Sequence, residues 1–340
     1  MPSILVVGAI IVHVAYQNVD GMQIRGIGSY VGFAVAFCGT YYYRLHFGPI
    51  RKLLSFVIVV WLLSGILQVL AGPYFLDFLV LVRTSTSRGV TGLSPEPSFF
   101  GTALVYLALC LYLETKTKPT RSEIFLIVCC IVSVVLVAKS AVGVLLIPFA
   151  VLCAVQSESR SGKRFIAVSL LVLISYALML AVLTLIPDSR VALVLASLVA
   201  DPINLIQQDQ SVSGRVSHIV YSVYLHIADH GFPHGFAQFS TDSFRLAQQL
   251  KIFFLPSEAN KIMSSTGAAL YELGYFGYAY IAIIAACVQS SMSSGNLKAK
   301  IIRFLCLLAL FSTAVPISLP IIPVLLVTLI FSKSEQRQIR

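Results

Sequence analysis

Arg83-Thr-Ser-Thr-Ser-Arg88-Gly-Val-Thr-Gly-Leu-Ser-Pro-Glu96-Pro-Ser-Phe-Phe-Gly101 is a polar stretch set between apolar runs at about 53–71 and 98–113. It carries two arginines and a carboxylate, and charge beside lipid is costly enough to need a chemical reason. The runs on either side are the beginning of a pattern that covers the chain. Of its 340 residues 58% are hydrophobic and 11% charged, and the mean hydropathy is +0.89. A soluble domain carries roughly 25% charged residues. The solvent of this chain is therefore lipid, and the expected class is an all-α polytopic membrane protein.

Working outward, the apolar runs that read as spans are about 2–16, 26–43, 53–71, 98–113, 124–138, 141–155, 165–186, 266–289, 302–316 and 318–332. That makes about ten spans in a single transmembrane domain covering 1–340, several of them shorter than the ~20 residues of an upright helix. The opening Met-Pro-Ser lacks the basic segment of a cleavable signal peptide, and the short first span leaves room for a clipped N-terminus. Basic residues fall in alternate connections: Arg44, Arg51 and Lys52; Lys116, Lys118 and Arg121; Arg160, Lys163 and Arg164; Lys298, Lys300 and Arg303; Lys333, Arg337 and Arg340. Cytoplasmic loops carry the excess of Lys and Arg, so these five segments are expected inside, with both termini. That side then holds fifteen Lys/Arg against four acids, net +11. The other holds nine against ten, net −1, and together they return the +10 of the whole chain. The basic balance is thus a topology signal rather than a sign of nucleic-acid binding. The seven cysteines all lie in apolar runs without metal-ligand spacing and read as small buried hydrophobes. Tyr41, Tyr42 and Tyr43 read as an interfacial aromatic belt, and Lys139-Ser140 as a plain turn.

Two loops on the non-cytoplasmic side stand out. In the first, 72–97, the apolar piece Tyr74–Val82 is too short to span and is expected to form a re-entrant or interfacial half-helix. The second, 187–265, is long enough for a small helical cap. An interfacial helix is expected over Asp188–Ile206, and a second from Ser213, as N-cap, to about Asp229. Val216, Ile219, Val220, Val223 and Ile227 would be its packed face. Arg215, His218, Ser222, His226 and Asp229 would look into a wet cleft. Gly231-Phe-Pro-His234-Gly235-Phe then breaks the helix.

At these residues the chain resembles a known family. Arg88-Gly-x-x-Gly-Leu-x-x-Glu96-Pro-Ser-x-x-Gly101 following a span resembles the signature of bacterial O-antigen polymerases of the Wzy type. Ser213-Gly-Arg215 with its helix and the Gly-Phe-Pro-His-Gly-Phe break is similar to the large periplasmic loop of the O-antigen polymerase and ligase superfamily. Gly267-Ala-Ala-Leu-Tyr-Glu272-Leu-Gly274-Tyr-Phe-Gly277 resembles the span entry that follows it. Ligases of that superfamily usually carry a histidine just before the entry; here the residues are Met263-Ser-Ser-Thr, which favours a polymerase. The resemblance implies a GT-C-like architecture in the bacterial inner membrane. It implies transfer of an oligosaccharide repeat from one undecaprenyl-pyrophosphate carrier to the sugar terminus of another at the periplasmic face, with a flippase and a chain-length regulator as partners.

That chemistry needs counter-charge for a pyrophosphate leaving group. No Gly-rich phosphate loop or Asp-x-Asp metal motif is present, so neither metal nor cofactor is expected. Permanently charged, fork-shaped arginines are the alternative. Arg83, Arg88 and Arg215 are the candidates, against pairing with Asp77, Asp201 or Asp209 or simple solvation. The attacking hydroxyl needs a proton acceptor. Glu96, stiffened between two prolines, His218, one helical turn from Arg215, and Glu272, which would be costly if lipid-facing, are the candidates. His226, His230 and His234 lack the spacing of a zinc site. Rival readings are an O-antigen ligase, a flippase or transporter for a lipid-linked oligosaccharide, and an assembly partner without chemistry.

Overall fold

Helix is the regular structure of the described residues, with one isolated bridge between Ser264 and Val315 besides. The computed structural model describes residues 1–16, 21–80, 82, 84, 89–115, 119–155, 183–184, 187, 189–250, 261–292, 297–313 and 315–332. In chain order the helices are α1 Pro2–Tyr16, α2 Gly21–Phe47, α3 Arg51–Ala71, α4 Pro97–Thr115, α5 Arg121–Leu136, α6 Ala141–Val155, α7 Arg190–Ala200, α8 Pro202–Gln208, α9 Gln210–Ala228, α10 Phe239–Leu250, α11 Ser265–Leu273, α12 Tyr278–Ser291, α13 Leu297–Ser312 and α14 Ile321–Phe331. Among the described residues three helices are long and apolar enough to cross a membrane: α3, α4 and the run Ser265–Ser291, in which a short 3-10 turn at Gly274–Gly277 joins α11 to α12. An α-helical membrane protein fits this architecture. The expected span at 165–186 falls almost wholly outside the described residues.

The residues gather into two compact units. The first comprises Met1–Tyr42, Asp201–Cys287 and Leu308–Val327; the second comprises Tyr43–Ala200, Val288–Leu307 and Thr328–Arg340. In the second unit α4 is the centre, buried along nearly its whole length. Trp61 of α3 stacks on its Phe100, with ring centroids 5.9 Å apart. α3 turns Leu54, Ile58, Leu62 and Gln68 inward and exposes Leu53, Phe56, Leu63, Leu67 and Leu70. A continuous row of large exposed aliphatic side chains is stable only where something apolar covers it. α5 starts on a capping box, in which Thr120 and Glu123 exchange side-chain-to-backbone hydrogen bonds and so satisfy two orphan donors.

Arg44 and Glu114 form a buried ion pair in this unit. Arg44 Nε donates to Glu114 Oε1 at 3.1 Å, with 4% and 0% of the two side chains exposed. Arg51 Nε donates to the Glu114 carbonyl at 2.9 Å, and the Arg44 guanidinium lies over the Phe331 ring. Arg303, fully buried, donates to Ser291 Oγ at 3.0 Å.

Several sequence expectations are corrected. Residues 73–79 form successive hydrogen-bonded turns (Phe75 N to Gly72 O, Asp77 N to Tyr74 O, Leu79 N to Leu76 O), not a half-helix. The expected 188–206 helix is two helices, because Asp201 caps a new one through Asn204 N and Pro202 opens it, a residue suited to a first turn. The next helix begins at Gln210, four residues before the start that Ser213 as cap would give. Asp209 is its cap, accepting from Ser211 N and Val212 N, and the expected cap, Ser213, is buried inside the helix. All seven cysteines are unpaired; Cys38 is exposed and Cys129 half-buried, the other five buried. Tyr41, Tyr42 and Tyr43 are exposed side by side.

Candidate functional site

The arginine-bearing loop is held at both its roots. From α3, the buried Gln68 accepts from Thr91 N at 3.0 Å and Gly92 N at 2.7 Å through one oxygen. Its amide nitrogen donates to Pro73 O and Thr91 Oγ, each at 3.1 Å. One side chain thereby ties the entrance of the loop to its exit, with donors and acceptors both used. Val90 N donates to Val137 O, on the α5–α6 turn. Gly89 lies so close to that turn that a Cβ would fall 2.1 Å from Ala138 O; only glycine allows this approach. The Gly-x-x-Gly of the motif is thus in part a packing requirement.

Arg83 and Arg88 themselves lie outside the described residues. Glu96 is half-buried and sits just before α4, where its carbonyl accepts from Phe99 N and Phe100 N and Ser98 Oγ donates to its carboxylate at 3.3 Å. Pro97 at the first helical position suits this start. Asp77, one expected arginine partner, accepts from Val82 N, and Asp201 and Asp209 cap helices.

Arg215, His218 and Glu272 belong to the first unit. Arg215 Nη1 donates to Ser211 Oγ at 2.8 Å, one turn back. The α9 helix is turned the other way from the sequence expectation. Ser213, Ser217, His218, Ser222 and His226 are buried together with Tyr221 and Leu225, whereas Val220, Tyr224 and Ile227 are exposed. The reason is side-chain size. A Cβ on Gly267 of α11 would fall 2.3 Å from Ser222 Oγ, so the serine face is a close-packed seam. The Ser222 hydroxyl meets its own need by donating to His218 O at 2.6 Å, and small polar residues of this kind favour tight helix contacts.

His218 is buried at 3% exposure and its Nδ1 accepts from Met263 N at 2.5 Å. Burial, with the Arg215 charge adding to it, pushes the imidazole down to about 4. His218 is therefore a neutral clasp between α9 and the start of α11, not a side chain facing a wet cleft. Glu272 is half-buried and accepts from Tyr30 OH of α2 at 2.7 Å. His226 is close to Tyr278, Nε2 to OH 3.0 Å.

A cluster that sequence reasoning passed over lies beside these. His234 Nδ1 is 3.2 Å from Asp242 Oδ2, and Tyr271 OH donates to the same oxygen at 2.6 Å. Arg245 lies 3.2 Å from Asp242 Oδ1. The His234 ring stacks on Tyr271, with centroids 4.4 Å apart and planes 10° from parallel. Its backbone is fixed too: His234 N donates to Tyr271 O and Gly235 N to Glu272 O, while Tyr16 OH donates to Pro233 O. Gly274 makes the docking possible, since at φ +57° its Cβ would fall 2.5 Å from Gly231 O and Pro233 N. Burial works to raise the Asp242 carboxyl, but the hydrogen bonds from His234 and Tyr271 outweigh it and hold the group below the usual carboxylate range. Asp242 thus stays ionised. Behind the cluster lies an apolar core of Tyr221, Leu225, Phe239, Leu246, Ile262 and Ala268. The sequence signal was His234 within Gly-Phe-Pro-His-Gly-Phe; nothing local pointed to Asp242 or Tyr271.

No group of three or more His, Cys, Asp or Glu side chains among the described residues has the arrangement to hold a metal ion. No family model matches the chain, and no curated protein or solved structure matches it either.

Proposed function

We propose that this chain is an integral membrane glycosyltransferase of the O-antigen polymerase type. It would join undecaprenyl-pyrophosphate-linked oligosaccharide repeats at the periplasmic face of the bacterial inner membrane. The observation that carries the reading is the loop of the Arg88–Gly101 motif, whose two ends a single buried Gln68 holds together. Such bracing fixes Pro73 and Thr91–Gly92 on either side of the segment that carries Arg83 and Arg88, and fixed flanks favour the binding of a pyrophosphate by those arginines. Arg215 supplies further positive charge in the large loop. Glu96, in the braced loop, is within the same segment as the arginines, whereas His218 and Glu272 are committed to Met263 N and Tyr30.

In this reading the chain has about ten spans, both termini in the cytoplasm and the 72–97 and 187–265 loops outside. Ion pairing inside the second unit supports it. Arg44 at the end of α2, Arg51 at the start of α3, Glu114 at the end of α4 and Phe331 at the end of α14 meet one another, and the positive-inside count puts all four on one side. Single-cysteine tags at Ser161 and Ser294 are then shielded from an impermeant reagent in intact cells, and a tag at Ser240 is labelled. Labelling of Ser161 from outside overturns the topology.

The decisive experiment is reconstitution of the purified chain in liposomes with a synthetic lipid-pyrophosphate-linked repeat. Long glycans still attached to the polyprenyl carrier are expected from the wild type and not from R88A. Transfer to a different lipid acceptor would make it a ligase, and movement of the repeat across the bilayer without chain growth would make it a flippase.

A further inference from the structure

We propose that the outward face of α9 is seated in lipid, in the leaflet around the Gly274 end of the Ser265–Ser291 run. The 187–265 segment then holds a helix lying in the bilayer surface rather than a cap standing in water. This seating needs only a chain held in a membrane and not the glycosyl transfer proposed above.

The composition of the open face comes first. Between Arg215 and Asp229, α9 has no Asp, Glu, Lys or Arg, and its two histidines there, His218 and His226, are buried. What it turns outward is Val220, Tyr224 and Ile227, whose spacings of four and three make one stripe of a helix. Ile227 is 68% exposed, and Phe232, just past the helix end, 65%. A contiguous apolar face of this kind marks a surface that something apolar covers.

What lies beside the stripe identifies the cover. The inward seam of α9 packs on Gly267, at the start of the Ser265–Ser291 run. The C-terminal end of α9 is tied to the middle of the same run. His226 Nε2 and Tyr278 OH are 3.0 Å apart, and Tyr275 OH donates to His230 O. The Phe232 and Tyr275 rings meet edge to face with centroids 6.2 Å apart. Gly231, at φ +81°, lies so close to the Tyr275 ring that a Cβ would fall 2.8 Å from it. Tyr275 and Tyr278 are themselves exposed, and they open a row that continues along the run through the exposed Ala282 and Ala285. That run is long and apolar enough to cross a membrane. The open face of such a helix meets lipid, and tyrosines are enriched where it enters the headgroups. The stripe on α9 is continuous with this face, so one solvent covers both.

Length fixes how α9 lies. The uncharged stretch 216–228 spans about 20 Å, too short for a hydrocarbon core of about 30 Å. The helix therefore rests in the interface, as amphipathic helices do with an apolar face sunk about 5–10 Å. Its polar face needs no water, because the serine seam occupies it.

The test uses the full chain in liposomes. C38S removes the exposed cysteine, and the residual signal of that variant is subtracted. In this background V220C, Y224C and I227C each take a spin label, with Q248C at an exposed polar position of α10 as the reference. All three test positions are exposed, so the labels leave the packed seam intact. Saturation spectroscopy reads collisions of each label with oxygen, which concentrates in lipid, and with a water-soluble nickel chelate. Labels at 220, 224 and 227 are expected to keep oxygen access and lose nickel access, while Q248C keeps nickel access. Nickel access at the three sites equal to that of Q248C places the face in water and overturns the proposal. Loss of access to both reagents overturns it as well, because protein then covers the face: a second copy if the labels broaden one another, another part of this chain if they do not.

Discussion

Replacing Gln68 by leucine isolates the brace on the arginine loop. The two side chains are close in volume, so little cavity cost enters. What is lost is polar. The Thr91 and Gly92 N–H groups, at a position where Thr91 is fully buried, lose the acceptor they share, and Pro73 O loses the Gln68 donor. A buried group left unsatisfied costs about 1–3 kcal/mol, so the two N–H groups together cost on the order of 3 kcal/mol, roughly a hundredfold in the closed-to-open ratio of the loop. Q68E should do less harm, because a carboxylate still accepts from both N–H groups and loses only the two donations. The assay is hydrogen exchange of the Thr91 and Gly92 amides in detergent, followed by the thermal midpoint. Faster exchange at these two amides, with that of α4 unchanged, is expected for Q68L. Exchange at Thr91 and Gly92 as slow as in wild type would show that the brace is not what holds the loop.

The buried His218 makes stability depend on pH. Its folded-state value near 4 lies below the ordinary 6.5, so the unfolded chain binds the proton more readily. The contribution is present in full above about pH 6.5 and is lost as pH falls toward 4, amounting to about 3 kcal/mol; H218Q should flatten that part of the stability profile in a pH series of unfolding midpoints. Glu114→Ala should destabilise by about 3–5 kcal/mol, because it leaves the Arg44 charge buried without its carboxylate; E114Q, which keeps an acceptor, should cost less in the same unfolding assay. G274A should be severely destabilised, since its Cβ meets Gly231 O and Pro233 N at 2.5 Å, and faster hydrogen exchange at the His234 and Gly235 amides, which donate to Tyr271 O and Glu272 O, should report loss of the docked 231–236 segment. Turnover should survive EDTA, the arginines supplying the charge; loss restored by a divalent ion would refute that assignment.

The turning of α9 shows where a pattern in sequence stops being informative. Periodicity correctly separated two faces of the helix, Val220 and Ile227 on one and His218 and Ser222 on the other. It assigned burial by polarity, which holds when water is the solvent on the open side. Here the hydroxyls are satisfied by carbonyls of their own helix, so the serine face packs against Gly267 without an unmet hydrogen bond. The apolar face is left outward.

The sequence by itself determined that the described residues are helical, that several of the helices are strongly apolar, and roughly where they run, because hydropathy, capping and backbone satisfaction are local properties. It also singled out the stretch around Arg88 and Glu96, since charge between apolar runs is conspicuous. Only the tertiary structure decided what each polar group meets. Gln68 finds the loop 23 residues on, Tyr30 finds Glu272 across 242 residues, and Asp242 finds Tyr271 across 29. Such pairings leave no periodic trace. They follow from which backbones approach closely enough, at Gly89, Gly267 and Gly274, for a buried donor to reach its acceptor.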